Sequence, residues 1–588
     1  MIPTLVERKT LIQTALGEYL LDLLIENVQV VNVYTGQVAS GALGIQGGRI
    51  VTPYAKGYKA KKIIDGGGRY AMPGFFDAHV HIDSTLVTPE TLSYLIVPRG
   101  STTLLVDPME IANVAGMEGF KSLQNSHQRL PYHIFWEVSS RVPTAPGLET
   151  TGGELGLEEV SEILHWPETV SLGELDPSKV LGLSDEHLLK VEAAHRLGKI
   201  CNGHAVGRVD QELAAYACGG LSDDHECVDY AEALTRLQLG MAVLIREGST
   251  ERNLELILRG MVAEGLDTSP HLMFCTDDKH PDEILAEGHV DFMVNRAIEL
   301  GVPSVTAIQM ATINAAKHFR IEHLVGSLTP GRWADIILAD DLQKIVPGDV
   351  YVRGQHVAHE GQLIVAPPVS DYPAWLHQTV HVKRGKQAAD FILPAVGEKA
   401  IVWVIDLFPD QIINTRMQIE LQVVAGSVMP DVSRDILKLA VVERHGKNGN
   451  IGLTFVRGFG LQSGALASSV AHDHHNLIVA GTNDTDMAAC VQAIEEMQGG
   501  LAIASGGKVL GKLPLPIAGL MSAAPVEAVI ENLGEINSIY RKLGGTLPAP
   551  FMTISFIGLP TVPELGLTDK GLIDVLAHSL ISPFVANS

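Results

Sequence analysis

Apolar and polar residues alternate over positions 23–33, and shorter runs of the same kind follow at 42–45 and 49–51 on either side of the turn Gly47-Gly48. A period of two marks a strand with one face buried, so this opening region is read as short strands and turns. Positions 5–20 instead show helical spacing, with charges between the apolar residues, and predict a surface helix. The two-residue alternation returns far downstream, at 331–339 and 350–364. Residues 1–71 and 321–365 are therefore expected to build one β-domain from both flanks of a central insert.

Within that insert, residues 72–320, short apolar runs alternate with helical patterns such as 185–197, 208–218 and 291–300. Such alternation predicts βα units and a parallel sheet. Each run stops at a residue able to do chemistry. The first ends in His79-Val80-His81, and the next seven end at Asp107, Glu137, Glu174, His204, His225, Arg246-Glu247 and Asp277. Eight such runs predict an α/β fold of the (β/α)8, TIM-like barrel type, whose catalytic groups sit where the strands' C-terminal ends converge.

After 364 the run Ala366-Pro367-Pro368-Val369 reads as a linker, placed at 366–382. From 383 to 588 an additional C-terminal α/β domain is expected, with candidate strands at 402–407, 437–443 and 477–480 and a helix at 484–498. Its group His472-Asp473-His474-His475 is given a structural or domain-interface role, because consecutive side chains on a strand or turn diverge.

The candidate chemistry follows from the strand ends. His79 and His81 alternate along a strand and so share a face. With 23 His in 588 residues the H-x-H pair is weak by itself. His79, His81, His204 and His225 with Glu174 and Asp277 nevertheless make four imidazoles and two carboxylates, ligands suited to Zn, Fe or Mn. Six ligands exceed what one catalytic ion needs, so two divalent metal ions about 3.5–4 Å apart are expected, with Glu174 bridging and a shared water deprotonated to the nucleophile. Asp277 is placed both as ligand and as the group that moves the proton. The expected catalytic groups are Asp277, Glu174 and His225. Asp107, Glu110, Arg246 and Glu247 are candidates for touching substrate, and Asp83, Glu226, Asp278 and His280 for supporting the ligands from behind. Glu226 follows a ligand directly, so on a strand it would point away unless the backbone has already turned.

Composition narrows the partners. The chain is 46% hydrophobic with 58 Gly and only 5% aromatics, which suits an α/β enzyme. A formal net charge of -25 would repel nucleic acid and anionic membrane, leaving a small neutral or cationic substrate. The five cysteines are scattered without a C-x-x-C pair, no apolar run approaches the ~18 residues of a membrane span, and no secretory leader is apparent. A soluble cytoplasmic protein is expected.

The run Pro73-Gly74-Phe75-Phe76-Asp77-Ala78-His79-Val80-His81, with its ordered Glu, His, His and Asp, resembles the amidohydrolase superfamily. Asp224-His225-Glu226-Cys227, Cys275-Thr276-Asp277-Asp278-Lys279-His280-Pro281, Val470-Ala471-His472-Asp473 and Leu513-Pro514-Leu515-Pro516 are similar to the bacterial adenine deaminase family, and the likeness covers nearly the whole chain. It implies hydrolytic deamination of adenine to hypoxanthine and ammonia by a metal-activated hydroxide. The implied centre is dinuclear, with Mn first and Fe or Zn as alternatives, and its ligands fall on His79, His81, Glu174, His204, His225 and Asp277. A homo-oligomer, a dimer or larger, is expected. Three positions depart from the family pattern: Met109 stands where His is usual, Asp83 where Glu is usual, and Leu175-Asp176-Pro177-Ser178-Lys179 replaces a Met-Asp-Tyr-Pro-like run. They leave open a relative acting on another purine or a cyclic amide, or a catalytically weak metal-binding paralogue.

Overall fold

The computed structural model describes residues 2–126, 129–265, 267–408, 414–561 and 564–585. The eight runs of the insert form parallel strands, and apart from His133 every residue in them is buried. Strands covered on both faces need continuous apolar runs, which explains their composition. Five pair in the order Ile200–Gly203, Thr169–Leu175, His133–Val138, Ser101–Val106, Phe75–Val80, and three in the order Asp223–Asp224, Ala242–Arg246, Leu272–Cys275.

The two groups curl towards each other at both ends. On one seam Val80 bridges Asp277 in parallel, with Asp277 N donating to His79 O at 3.0 Å and His81 N to Asp277 O at 3.1 Å. On the other, Ser222 N donates to Cys201 O at 2.8 Å. The strand that leads into His225 is only two residues long, Asp223–Asp224. Here side chains take over the pairing, as Asp223 Oδ1 accepts from Gly203 N and Asp224 Oδ1 from Ala205 N, both at 2.9 Å. Phe76, Leu105, Phe135, Val170 and Met273 pack with Trp333 in one cluster. Trp333 lies against His133, so it covers the end where these strands begin.

The flanking sheet draws strands from both sides of the insert. Ile336–Ala339 pairs antiparallel with Tyr70–Pro73, joining the N-terminal strands Leu21–Asn32 and Gln37–Gln46 to the return strands Asp349–Val352 and Gln355–His359. The first helix is Leu5–Ala15, capped by a reciprocal Thr4–Glu7 pair. It is shorter than the helical spacing suggests because Gly17 turns the chain in the left-handed region.

Beyond the extended segment, a nine-stranded sheet running from Ser427–Val428 at one edge to Lys508–Pro514 at the other is backed by helices Asp484–Glu496 and Val526–Lys542. This C-terminal unit packs against the ends of the parallel strands: Val87 bridges Ser522, Asn476 Nδ2 donates to Thr150 O at 2.8 Å, and Thr150 Oγ1 donates to Asp569 Oδ2 at 2.7 Å. Among the described residues no helix is long and apolar enough to cross a membrane.

Candidate metal centre

His79, His81, Glu174, His204, His225 and Asp277 meet at the C-terminal ends of the parallel strands, all of them buried. His79, His81 and Asp277 form one group and Glu174, His204 and His225 a second, with ligand atoms within 4.8 Å of one another in each. Glu174 joins the groups: Oε1 lies 3.1 Å from His81 Nε2, while Oε2 lies 3.5 Å from His204 Nε2 and 3.7 Å from His225 Nε2.

Local backbone explains how side chains so distant in sequence converge. His79 and His81 share a face of their strand and its extension, with ring centroids 4.9 Å apart. Past the 200–203 strand, His204 N donates to the hydroxyl of Tyr216 on the following helix, at 2.9 Å. After Asp224 the chain turns at once, because Asp224 Oδ1 accepts from both Ala205 N and Glu226 N while Arg236 Nε holds Oδ2 at 2.9 Å. That turn carries His225 and Glu226 to the same cavity. Asp277 adopts φ 58°, a left-handed conformation uncommon for a residue with a side chain and typical of functional sites.

The donor chemistry fits a divalent cation. His79 Nδ1 faces Glu137 Oε1 and His81 Nδ1 faces Glu110 Oε2, each at 3.1 Å. A carboxylate on Nδ1 assigns the proton to that nitrogen and leaves Nε2 as a lone pair. Both Nε2 atoms then point at Asp277 Oδ1, 3.5 Å from each, so three acceptors face one another in a buried space. Acceptors so arranged need a positive charge between them.

Charge is balanced around this centre by two buried arginines. Burial pushes the Glu174 carboxyl up, but Arg141 and His204 outweigh it and hold the group well below the usual carboxylate range. Burial likewise opposes ionisation of Asp277, and the Arg246 guanidinium, bonded to its Oδ2, helps to hold the carboxyl well below the usual range. Asp107 differs: burial, then repulsion from Glu137, pushes its carboxyl up.

The remaining candidates divide by position. Glu110, Arg246, Glu226 and Asp278 line the same cavity as His81, Glu174, His204, His225 and Asp277, whereas Asp107, Asp83, Glu247 and His280 stand outside its lining, as does His79. Asp107 is held by Ser139 Oγ behind the strand ends. Asp83 is buried near Glu110, whose charge adds to burial in pushing its carboxyl well up. Glu247 turns to Leu254 N at the start of the next helix, and His280 N donates to Ser249 Oγ. Glu226 lies within the ligand cluster instead of behind it, Oε1 being 3.4 Å from both His204 Nε2 and His225 Nε2.

Several residues that the strand-end pattern does not reveal also belong to the cavity: Met109, Arg141, His472, Asp473, Phe556 and Leu559. Four of them come from the C-terminal unit. His472 Nδ1 lies 3.5 Å from Glu110 Oε1, and its ring stacks on Phe556 with centroids 4.8 Å apart. Glu110, His472 and His475 are also close enough to hold an ion, but His475 Nδ1 accepts from Ala471 N, which assigns the ring proton to Nε2 and removes that lone pair.

Comparison with known proteins agrees with this geometry. Residues 70–357 match the Amidohydrolase family and residues 411–579 the Adenine deaminase C-terminal domain. The chain is 53% identical over 576 residues to an adenine deaminase of Desulforamulus reducens, covering 98% of each chain. It is 41% identical to the adenine deaminase of Desulfatibacillum aliphaticivorans, covering 97% of this chain and 99% of that one, and 40% identical to adenine deaminase 2 of Carboxydothermus hydrogenoformans with the same coverage. With both parts matched and the likeness running end to end, the chain belongs to the adenine deaminase family of amidohydrolases.

Proposed function

We propose that this protein hydrolyses adenine to hypoxanthine and ammonia on a pair of divalent cations, Mn first, with Fe or Zn able to substitute. The observation that carries the reading is Glu174, whose two oxygens face different histidine groups. His79, His81 and Asp277 would hold one ion, His204 and His225 the other, and Glu174 both. Bound divalent cations supply Lewis acidity, which lowers the pKa of water towards neutrality.

The chain's own groups supply positioning and proton transfer. Asp277 Oδ2 is held by Arg246 Nη1 at 2.8 Å, which leaves Oδ1 to take the proton of the attacking water and return it to the departing amine. Water adds at C6 of the purine, the C6–N bond breaks, and ammonia leaves, so one water is consumed for each ammonia released. His225, stacked 4.5 Å from His79, is both ligand and cavity wall. Glu110, Glu226, Arg246 and His472 face the space in which the base would lie.

The same reading closes the curled parallel sheet as a (β/α)8 barrel over 72–320, assigns 1–71 with 321–365 to a flanking β-domain, makes 366–382 a linker, and gives 383–588 to a C-terminal domain. A strongly acidic surface suits a small base and no nucleic acid. We place the enzyme in the cytoplasm as a homo-oligomer.

The test is ammonia release from adenine by the purified, Mn-loaded protein, with a metal count per chain. Hypoxanthine and ammonia in equal amounts with two ions per chain support the proposal. Met109 on the cavity wall puts a thioether beside Glu110, where proton transfer would use an imidazole, and favours as second reading another purine or a cyclic amide. Ammonia from such a compound and none from adenine would establish that reading, and adenine recovered unchanged from a bound complex would make the protein a binder.

A further inference from the structure

Asp473 belongs to the C-terminal unit, yet it lies one side chain away from the carboxylate that joins the two histidine groups. Arg141 connects them: Nη2 donates to Glu174 Oε2 at 2.9 Å and Nη1 to Asp473 Oδ2 at 3.2 Å. Thr144 Oγ1 donates to the same Asp473 oxygen at 2.7 Å. Arg141, Glu174 and Asp473 are each no more than 2% exposed, so water screens none of these charges.

We propose that Asp473 is a positioning residue for the metal centre: through Arg141 it sets the orientation of Glu174 and the charge felt there. The inference rests on the metal-binding reading of Glu174. Two effects act in the same direction. A guanidinium bonded to Glu174 Oε2 competes with a cation for that oxygen, and a second carboxylate on the guanidinium draws its charge away from the centre. Geometrically, a planar guanidinium pinned at two nitrogens fixes the rotation of the Glu174 carboxylate, so that one oxygen stays towards each histidine group. Removing Asp473 frees Arg141 to move wholly onto Glu174 and adds uncompensated positive charge where cations must bind. The C-terminal unit is thereby part of the centre as well as its cover.

The experiment measures Mn affinity of the full chain by competition with a chromophoric chelator, alongside thermal unfolding of the metal-free protein. Asp473→Asn is expected to weaken binding roughly 10- to 100-fold, the range found for partners of metal ligands, and Asp473→Glu to recover part of the loss. Wild-type Mn affinity in Asp473→Asn, with only the metal-free melting temperature lowered, would overturn the proposal and reduce Asp473 to a docking contact. If Asp473→Asn does not fold, Thr144→Val decides, because it removes only the hydroxyl that fixes Asp473: weaker Mn binding supports the proposal and unchanged binding overturns it. A wild-type protein that takes up no Mn would instead sink the metal reading itself.

Discussion

Arg246 places a single guanidinium nitrogen, Nη1, 2.8 Å from Glu226 Oε1 and 2.8 Å from Asp277 Oδ2. One buried cation thus holds two buried carboxylates that both face the imidazole cluster. Replacing it by Met leaves those carboxylates unpaired in the metal-free protein. A loss of about 3–5 kcal/mol is expected in denaturant unfolding of metal-free Arg246→Met, the usual cost of breaking a buried ion pair from one side. Mn should recover part of it, since cations then offset the same charges.

Asp277→Asn removes the acceptor oxygen charge at Oδ1 while retaining the shape of the side chain. Turnover of adenine is expected to fall by about 10²–10⁴-fold, the contribution typical of a positioned proton carrier. Adenine binding followed by equilibrium dialysis should change far less than kcat. Equal losses in both would assign Asp277 to substrate binding.

Gly173 directly precedes Glu174, and a Cβ there would stand 2.3 Å from Asp107 Oδ2 and 3.0 Å from Val138 O. The backbone of this strand therefore runs against a neighbouring strand with no room for a methyl group. Gly173→Ala is expected to cost about 1–3 kcal/mol by overpacking, measured in urea. Because the shift displaces the adjoining Glu174, Mn affinity should fall with it.

Glu149 is buried with Oε1 accepting from Ala145 N at 2.7 Å. Burial pushes its carboxyl up from 4.5 to about 7, only partly offset by that hydrogen bond. A folded-state value above the unfolded one means that the native protein binds the proton more tightly, so stability is fully present below 4.5 and is lost as pH rises through about 7. Glu149→Gln keeps the acceptor and removes the titration. Its melting temperature should match the wild type at pH 4.5 and exceed it at pH 8, by up to roughly 3 kcal/mol of stability.

Metal removal offers a test that needs no mutation. A site that exists only in the folded chain stabilises it on binding, by about 2.7 kcal/mol at a hundredfold excess over Kd. A chelator should lower the melting temperature, and Mn should restore it. Asp277→Asn should show a smaller response, having lost one ligand charge.

The chain's own pattern of residues determined the type and order of the elements that carry the candidate residues. Short, largely apolar runs ending in His79-Val80-His81, Glu174, His204, His225 and Asp277 predict buried strands with polar tips, and each of these polar residues stands at or just past the end of a buried parallel strand. The repeated alternation at 23–33 and 350–364 likewise predicts strands from two distant segments, and Ile336–Ala339 pairs antiparallel with Tyr70–Pro73. Tertiary structure decided the rest. The turn that Asp224 imposes carries Glu226 into the cavity, Asp107 falls behind the strand ends, and Asp473 meets Arg141, and His472 meets Glu110, only through packing between segments more than 300 residues apart. Periodicity records which face of a single element is buried. It holds no information about which separate elements meet, because that depends on shape and charge complementarity between surfaces formed only once each part has folded.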